Sequence, residues 1–97
     1  MYIKKGEIWI TDLGINKGSE QNGIRPCLII SNFFYEDTCI IIPGSKTKRS
    51  SSFTYKNFNW LLGQIKTIDK TRLIRKISKI SPSERKIIIH KWLSYIK

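Results

Sequence analysis

The sequence predicts a mainly β fold of the α+β class: a small barrel of short strands with one amphipathic helix at the C-terminal end, over about residues 82–96. Three observations predict it. Short isoleucine-rich runs recur between clusters of Gly, Pro, Asn and Ser, the pattern of strands separated by turns. The last segment carries a helix start signal and then a helical apolar period. At 97 residues the chain can bury one modest core without disulfide or metal staples, so 1–97 is expected to be a single domain.

The elements follow in order. Glu7–Leu13 alternates as a first strand, with Ile8 and Ile10 on one face and Trp9 on the other. Gly14–Gly23 holds three glycines and two asparagines without an apolar period, which reads as a long flexible loop; loops of this length tend to be functional. Cys27–Ser31 is a short buried strand, and Pro26, lacking a donor, is expected at its first position. Asn32–Asp37 is a turn region in which Phe33, Phe34 and Tyr35 read as a core lid or a subunit contact. Thr38–Ile42 is a third strand, ended by Pro43-Gly44. Ser45–Ser52 is a polar basic loop. Phe53–Tyr55 is a short strand and Trp60–Ile68 a longer one, in which Gly63 marks a bulge or a close approach. Asp69–Arg72 is a turn or one helical turn. Leu73–Ile80 satisfies both a helical spacing (Ile74, Ile77, Ile80) and the alternation of a strand. Ser81-Pro-Ser-Glu84 is a capping box with Pro at the first helical position. After it, Ile88, Ile89, Trp92, Leu93, Tyr95 and Ile96 form an apolar stripe, opposite Lys86, His90, Ser94 and Lys97. Several short strands followed by one terminal helix suit a barrel of SH3-like type.

The net charge of +11 points to an anionic partner. It is lopsided: residues 1–45 carry four Lys and Arg against five Asp and Glu, and residues 46–97 carry fourteen against two. A phosphate backbone is the counterpart expected, with an anionic membrane surface or an acidic protein as competitors. No stretch approaches the roughly 20 apolar residues of a membrane span. The N-terminus has no apolar signal region, so a cytoplasmic location is expected. Cys27 and Cys39 lie in apolar runs without metal spacing and read as small buried hydrophobes in a reducing cytosol, with a disulfide between neighbouring strands as the less favoured alternative.

The inventory excludes much chemistry. His90 is the single histidine, so a two-histidine nuclease mechanism is ruled out. No Ser-His-Asp set, Cys-His pair or Gly-rich phosphate loop is present, and the seven carboxylates are scattered, against a two-metal nuclease. Catalysis is left to Arg or Lys, a hydroxyl and one carboxylate. That set suffices to cleave RNA, because the 2′-OH is an internal nucleophile beside the phosphate it attacks. Arg25, at the mouth of the second strand, offers a permanently charged planar fork suited to a phosphate; the competing reading is a surface arginine paired with Glu20 or Glu36. Ser45 offers a hydroxyl beyond the third strand. Ser45–Ser52 reads either as a disordered connector or as a phosphate-tracking segment, because its three cations and five hydroxyls suit a nucleic-acid backbone.

Several stretches carry a resemblance: Lys5-Gly-Glu-Ile-Trp-Ile-Thr-Asp-Leu13, Gly18-Ser-Glu-Gln-Asn-Gly-Ile-Arg-Pro-Cys-Leu-Ile-Ile-Ser-Asn32, Gln64-Ile-Lys-Thr-Ile-Asp-Lys-Thr-Arg-Leu73 and Lys76-Ile-Ser-Lys-Ile-Ser81. In order and spacing they resemble the MazF/PemK family of bacterial toxins. The resemblance implies an SH3-like barrel of CcdB/PemK type and a homodimer. It also implies metal-independent, cofactor-free cleavage of single-stranded RNA to a 2′,3′-cyclic phosphate, and a cognate antitoxin that blocks the RNA groove. It puts the catalytic arginine on Arg25 and the catalytic threonine on Ser45. The RNA-binding residues it suggests are Glu20, Gln21, Lys46, Lys48, Arg49, Gln64 and Lys66. Two departures stand out: Ser45 replaces threonine, and Gly63 stands where many members carry Asp or Glu. The alternatives are a non-catalytic basic barrel that binds nucleic acid or a protein, and a CcdB-like poison of a protein target such as gyrase.

Overall fold

A computed structural model describes residues 3–16, 18, 22–34, 37–46, 52–55 and 58–96, with Ser52, Phe53 and Tyr55 described by their backbone. The strands are β1 (Glu7–Asp12), β2 (Ile24–Ile29), β3 (Thr38–Ser45), β4 (Ser52–Tyr55), β5 (Phe58–Leu61), β6 (Lys66–Asp69) and β7 (Leu73–Lys79), followed by helix α1 (Pro82–Ile96). They form one antiparallel sheet in the order β4-β5-β3-β2-β1-β7, with β6 also paired to β3. The pivot is β3. Its first half pairs with β6 (Cys39 opposite Ile68), its middle with β2 (Cys27 opposite Pro43), and its end with β5 (Ser45 opposite Asn59). One strand serving three partners bends the sheet into a barrel-like shape, left open between β7 and β4 among the described residues.

Alternation sends apolar side chains to both faces of the central strands. One face packs Trp9, Leu13, Cys27, Ile29, Cys39, Ile41, Ile68 and Leu73, with Phe33 at its margin. The other packs Ile8, Leu28, Ile42, Trp60, Leu62, Ile80 and Ile88, with Trp92 against it. Helix α1 covers this second face. Its capping box forms as expected: Ser81 Oγ accepts from the Glu84 amide at 3.1 Å, and Glu84 Oε1 accepts from the Ser81 amide at 2.8 Å. No helix among the described residues is long and apolar enough to cross a membrane.

The structure corrects several expectations. β3 does not end before Pro43-Gly44 but runs through both to Ser45. Both strand breakers are tolerated because the strand changes partners there: Gly44 packs so closely on Trp60 that a Cβ would lie 3.1 Å from the indole. Pro26 is the third residue of β2, not its first. Its missing donor is harmless, because the β2–β3 pairing begins only at Cys27. Trp60–Ile68 is not one strand; a 3₁₀ turn, Leu62–Gln64, separates β5 from β6, and Gly63 is an exposed residue of that turn rather than a bulge. Leu73–Ile80 resolves as a strand, and Asp69 caps one 3₁₀ turn, Lys70–Arg72, by accepting from the Thr71 amide. The helix stripe is narrower than its spacing suggested. Ile88 is buried and Trp92 half-buried, while Tyr95 and Ile96 are exposed. Phe33 packs on the core, whereas Phe34 is exposed and Tyr35 lies outside the described residues. Both cysteines are buried free thiols.

Candidate active site

Strand register assembles the site. Thr11 of β1 stands opposite Arg25 of β2, Trp9 opposite Cys27, Cys27 opposite Pro43 of β3, and Ile41 opposite Lys66 of β6. Paired residues share a face and side chains alternate, so Thr11, Arg25, Cys27, Pro43 and Ser45 project from the same face at one end of the sheet, and Lys66 projects from that face level with Ile41 and Ile29. Fully buried Cys27 and Leu13 form its floor. Arg25 is half-buried, and its Nε donates to the Asn22 carbonyl at 2.9 Å. This is the loop-edge position expected for it, not a deep one. Lys66 is also half-buried, with Nζ donating to Asn16 Oδ1 at 3.1 Å. The Cys27 thiol is fully buried between β1 and β3. Desolvation dominates and pushes it up to about 12, while the charges of Arg25 and Lys66 and a hydrogen bond with Thr11 pull the other way. A thiol held this high is not a nucleophile.

Ser45 lies on the strand rather than beyond it, and it is buried. Its backbone is fixed by a buried asparagine. Asn59 Nδ2 donates to the carbonyls of Ser45 at 3.2 Å and Lys46 at 3.1 Å, while the Thr54 hydroxyl donates to Asn59 Oδ1 at 2.6 Å. The turn of chain that presents Ser45 and exposed Lys46 is thus held by side chains from β4 and β5.

The described ends of the loop after β1 are tied to each other. Leu13 N donates to Gly23 O and Gly23 N to Gly14 O, both at 2.9 Å, closing a neck. Gly14 and Gly23 have φ of 72° and 76°, values that favour glycine because other residues bring Cβ against the backbone. Just above the neck, the Asn16 amide donates to Asn22 Oδ1, and Asn16 Nδ2 donates to the Leu13 carbonyl at 3.1 Å. Sequence reading missed Asn16, Asn22 and Asn59 as contributors. The available signal was the placement of one asparagine near each glycine of the neck, where Asn forms local backbone bonds.

The structure brings Arg25, Lys66 and the Ser45 end of β3 to one corner. Half-buried Gln64 lies in the 3₁₀ turn just before β6. Glu20, Gln21, Lys48 and Arg49 lie outside the described residues. No described carboxylate shares the corner. By alternation Asp12 and Asp69 leave from the opposite face, and Glu7 sits at the far end of β1, bonded to Lys76 at 3.0 Å. No three His, Cys, Asp or Glu side chains converge among the described residues. What the corner offers is two cations linked through one loop, able to bind a phosphate and to stabilise negative charge developing on it.

Comparison with known proteins fits this geometry. A family model described as PemK-like, MazF-like toxin of type II toxin-antitoxin system matches residues 4–93. The endoribonuclease EndoA of Bacillus subtilis is 34% identical, over 82% of this chain and 82% of that protein. Among solved structures, MazF of Deinococcus radiodurans superposes with a TM-score of 0.80 at 16% identity, covering 99% of this chain and 98% of that one. A mycobacterial endoribonuclease, solved in complex with its cognate antitoxin, superposes with a TM-score of 0.74 at 17% identity, over 98% and 95%.

Proposed function

The chain belongs to the PemK-like, MazF-like toxins of type II toxin–antitoxin systems, and from that membership we propose that it is an endoribonuclease that cuts single-stranded RNA without a metal. In this reading the 2′-OH gives up its proton to solvent as its oxygen attacks the adjacent phosphorus, the P–O5′ bond breaks, the 5′-oxygen takes a proton from solvent and leaves as a hydroxyl, and a 2′,3′-cyclic phosphate remains. Arg25 is the catalytic cation, its fork directed at the phosphate where charge accumulates. Lys66 and Lys46 hold flanking phosphates, and Ser45 bonds a phosphate oxygen. The observation that carries the proposal is that Arg25 and Lys66 are joined by hydrogen bonds through Asn22 and Asn16, on the sheet face that also bears Ser45. The protein acts in the cytoplasm as a homodimer, and a cognate antitoxin restrains it, as the mycobacterial relative is held by its own.

The test is incubation of the purified protein with a long single-stranded RNA in EDTA, with the fragment ends mapped. Discrete cuts with cyclic-phosphate ends are expected. RNA that is bound but left whole would instead favour a non-catalytic binder, the reading that Gly63 supports by leaving the Leu62–Gln64 turn without a carboxylate.

Ser45→Ala is expected to lower kcat about 10²-fold, the scale of one lost transition-state donor. Ser45→Thr keeps the hydroxyl and should stay within about tenfold of wild type. Single-turnover cleavage of a short RNA measures both. A rate for Ser45→Ala close to wild type would remove the hydroxyl from the mechanism.

A further inference from the structure

Among the described residues the two cations of the site share one support. Lys66 Nζ is held by Asn16 Oδ1 at 3.1 Å, Asn16 is held by the Leu13 carbonyl at 3.1 Å, and its amide donates to Asn22 Oδ1. Asn22 in turn accepts from Arg25 Nε through its carbonyl at 2.9 Å. A lysine ends in four rotatable bonds and a free ammonium wanders. Here it is fastened across fifty residues of sequence to the loop that also fastens Arg25.

The chemistry of the tether is informative. A carboxylate in place of Asn16 would hold Lys66 as firmly but would cancel its charge. A carboxamide oxygen holds it with a neutral dipole, taking one of the three ammonium donors and leaving the full positive charge for an anion. A tether evolved only for stability would gain from the ion pair. One that keeps the charge suits an ammonium that must meet phosphate.

Resting on the nuclease reading above, we propose that Asn16 is a positioning residue: it orients the Lys66 ammonium toward the RNA phosphate next to the scissile one without neutralising it. Through Asn22 it also keeps that ammonium in register with Arg25. Asn16 acts on the substrate only through Lys66.

The experiment is a double-mutant cycle on a short single-stranded RNA with Asn16→Ala, Lys66→Ala and their combination, beside Asn16→Asp. Asn16→Ala should raise KM about tenfold with kcat changed by less than about threefold, and should cost nothing further in the Lys66→Ala background. Asn16→Asp should keep Lys66 fixed yet weaken RNA binding and lower the slope of log affinity against log salt by about one, because one phosphate contact is neutralised. In the protein without RNA, the ¹³C signals of the Lys66 ε-carbon should shift and sharpen in Asn16→Ala and stay restrained in Asn16→Asp. Losses that simply add across the cycle, an unchanged salt slope in Asn16→Asp, or Lys66 signals unmoved by Asn16→Ala would each overturn the proposal. A wild-type protein that leaves the RNA whole overturns the nuclease reading instead. The same cycle run on RNA binding, together with the Lys66 signals, then still decides whether the tether exists.

Discussion

Replacing Arg25 with alanine is expected to abolish RNA cleavage, lowering kcat/KM by about 10³-fold or more, the range found when a charge-stabilising donor or arginine is lost from a phosphoryl-transfer site. The effect should fall on chemistry and not on folding. Arg25 is half-buried at the start of β2, and the bond from its Nε to the Asn22 carbonyl is exposed. Losing such a bond costs about 1 kcal/mol or less, so Tm should move by no more than about 8 °C. Arg25→Lys separates charge from shape. A lysine restores a cation at the strand mouth but not the planar fork, and it should recover only part of the lost rate. Cleavage of a fluorescent RNA by the three proteins, alongside their thermal melts, is the measurement. A substantial residual rate in Arg25→Ala would transfer the catalytic role to Lys66 or to a residue outside the described set. An unfolded Arg25→Ala would make the arginine structural.

The fold was legible in the sequence wherever the signal was local. The capping box at Ser81–Glu84 needs only four residues to form, and it forms. β1 needs only its own alternation. What the sequence obscured is decided between elements. Leu73–Ile80 fits two periods, and pairing with β1 makes it a strand. Trp60–Ile68 reads as one apolar run, and it breaks because its halves join β3 at different places, Trp60 opposite Gly44 and Ile68 opposite Cys39. Pro43 and Gly44 look like a terminus, yet the chain stays extended because β3 exchanges β2 for β5 there. The site divides in the same way. Arg25, Ser45 and Lys66 could be named from residue type and resemblance. Asn16 could not, since its role depends on a lysine fifty residues away.

A second large effect lies at the opposite end of β1. Glu7 is buried, with a side chain only 8% exposed. Its Oε1 accepts from the Lys4 amide at 2.9 Å and from the Trp9 indole at 3.0 Å, and its Oε2 meets Lys76 Nζ at 3.0 Å. Glu7→Ala removes the acceptor of a buried indole and of a backbone amide. The Lys76 share is small because that side chain is 46% exposed and screened, and Lys4 is exposed, so the loss is set chiefly by the buried Trp9 indole left without its acceptor, about 2–3 kcal/mol. For a chain of this size that corresponds to a fall in Tm of about 10–20 °C. The same group gives stability a pH dependence of fixed sign. Burial alone would raise the carboxyl, but the Lys4 amide, the Trp9 indole and Lys76 outweigh it and hold it below its ordinary value of 4.5. The ionised form is therefore the one the fold prefers. Its contribution is complete above about pH 4.5 and drains away as the pH falls through the lower value of the folded state. Glu7→Gln, which keeps an acceptor oxygen but cannot ionise, should be less stable than wild type at neutral pH and should lose less on acidification through that window. Some acid sensitivity remains in the variant, because the Thr71 amide and hydroxyl also hold the Asp69 carboxyl low. Urea unfolding at a series of pH values, followed by tryptophan fluorescence, reads the difference directly. Parallel acid limbs for wild type and Glu7→Gln would mean that the carboxylate is as well accommodated in the unfolded chain as in the core.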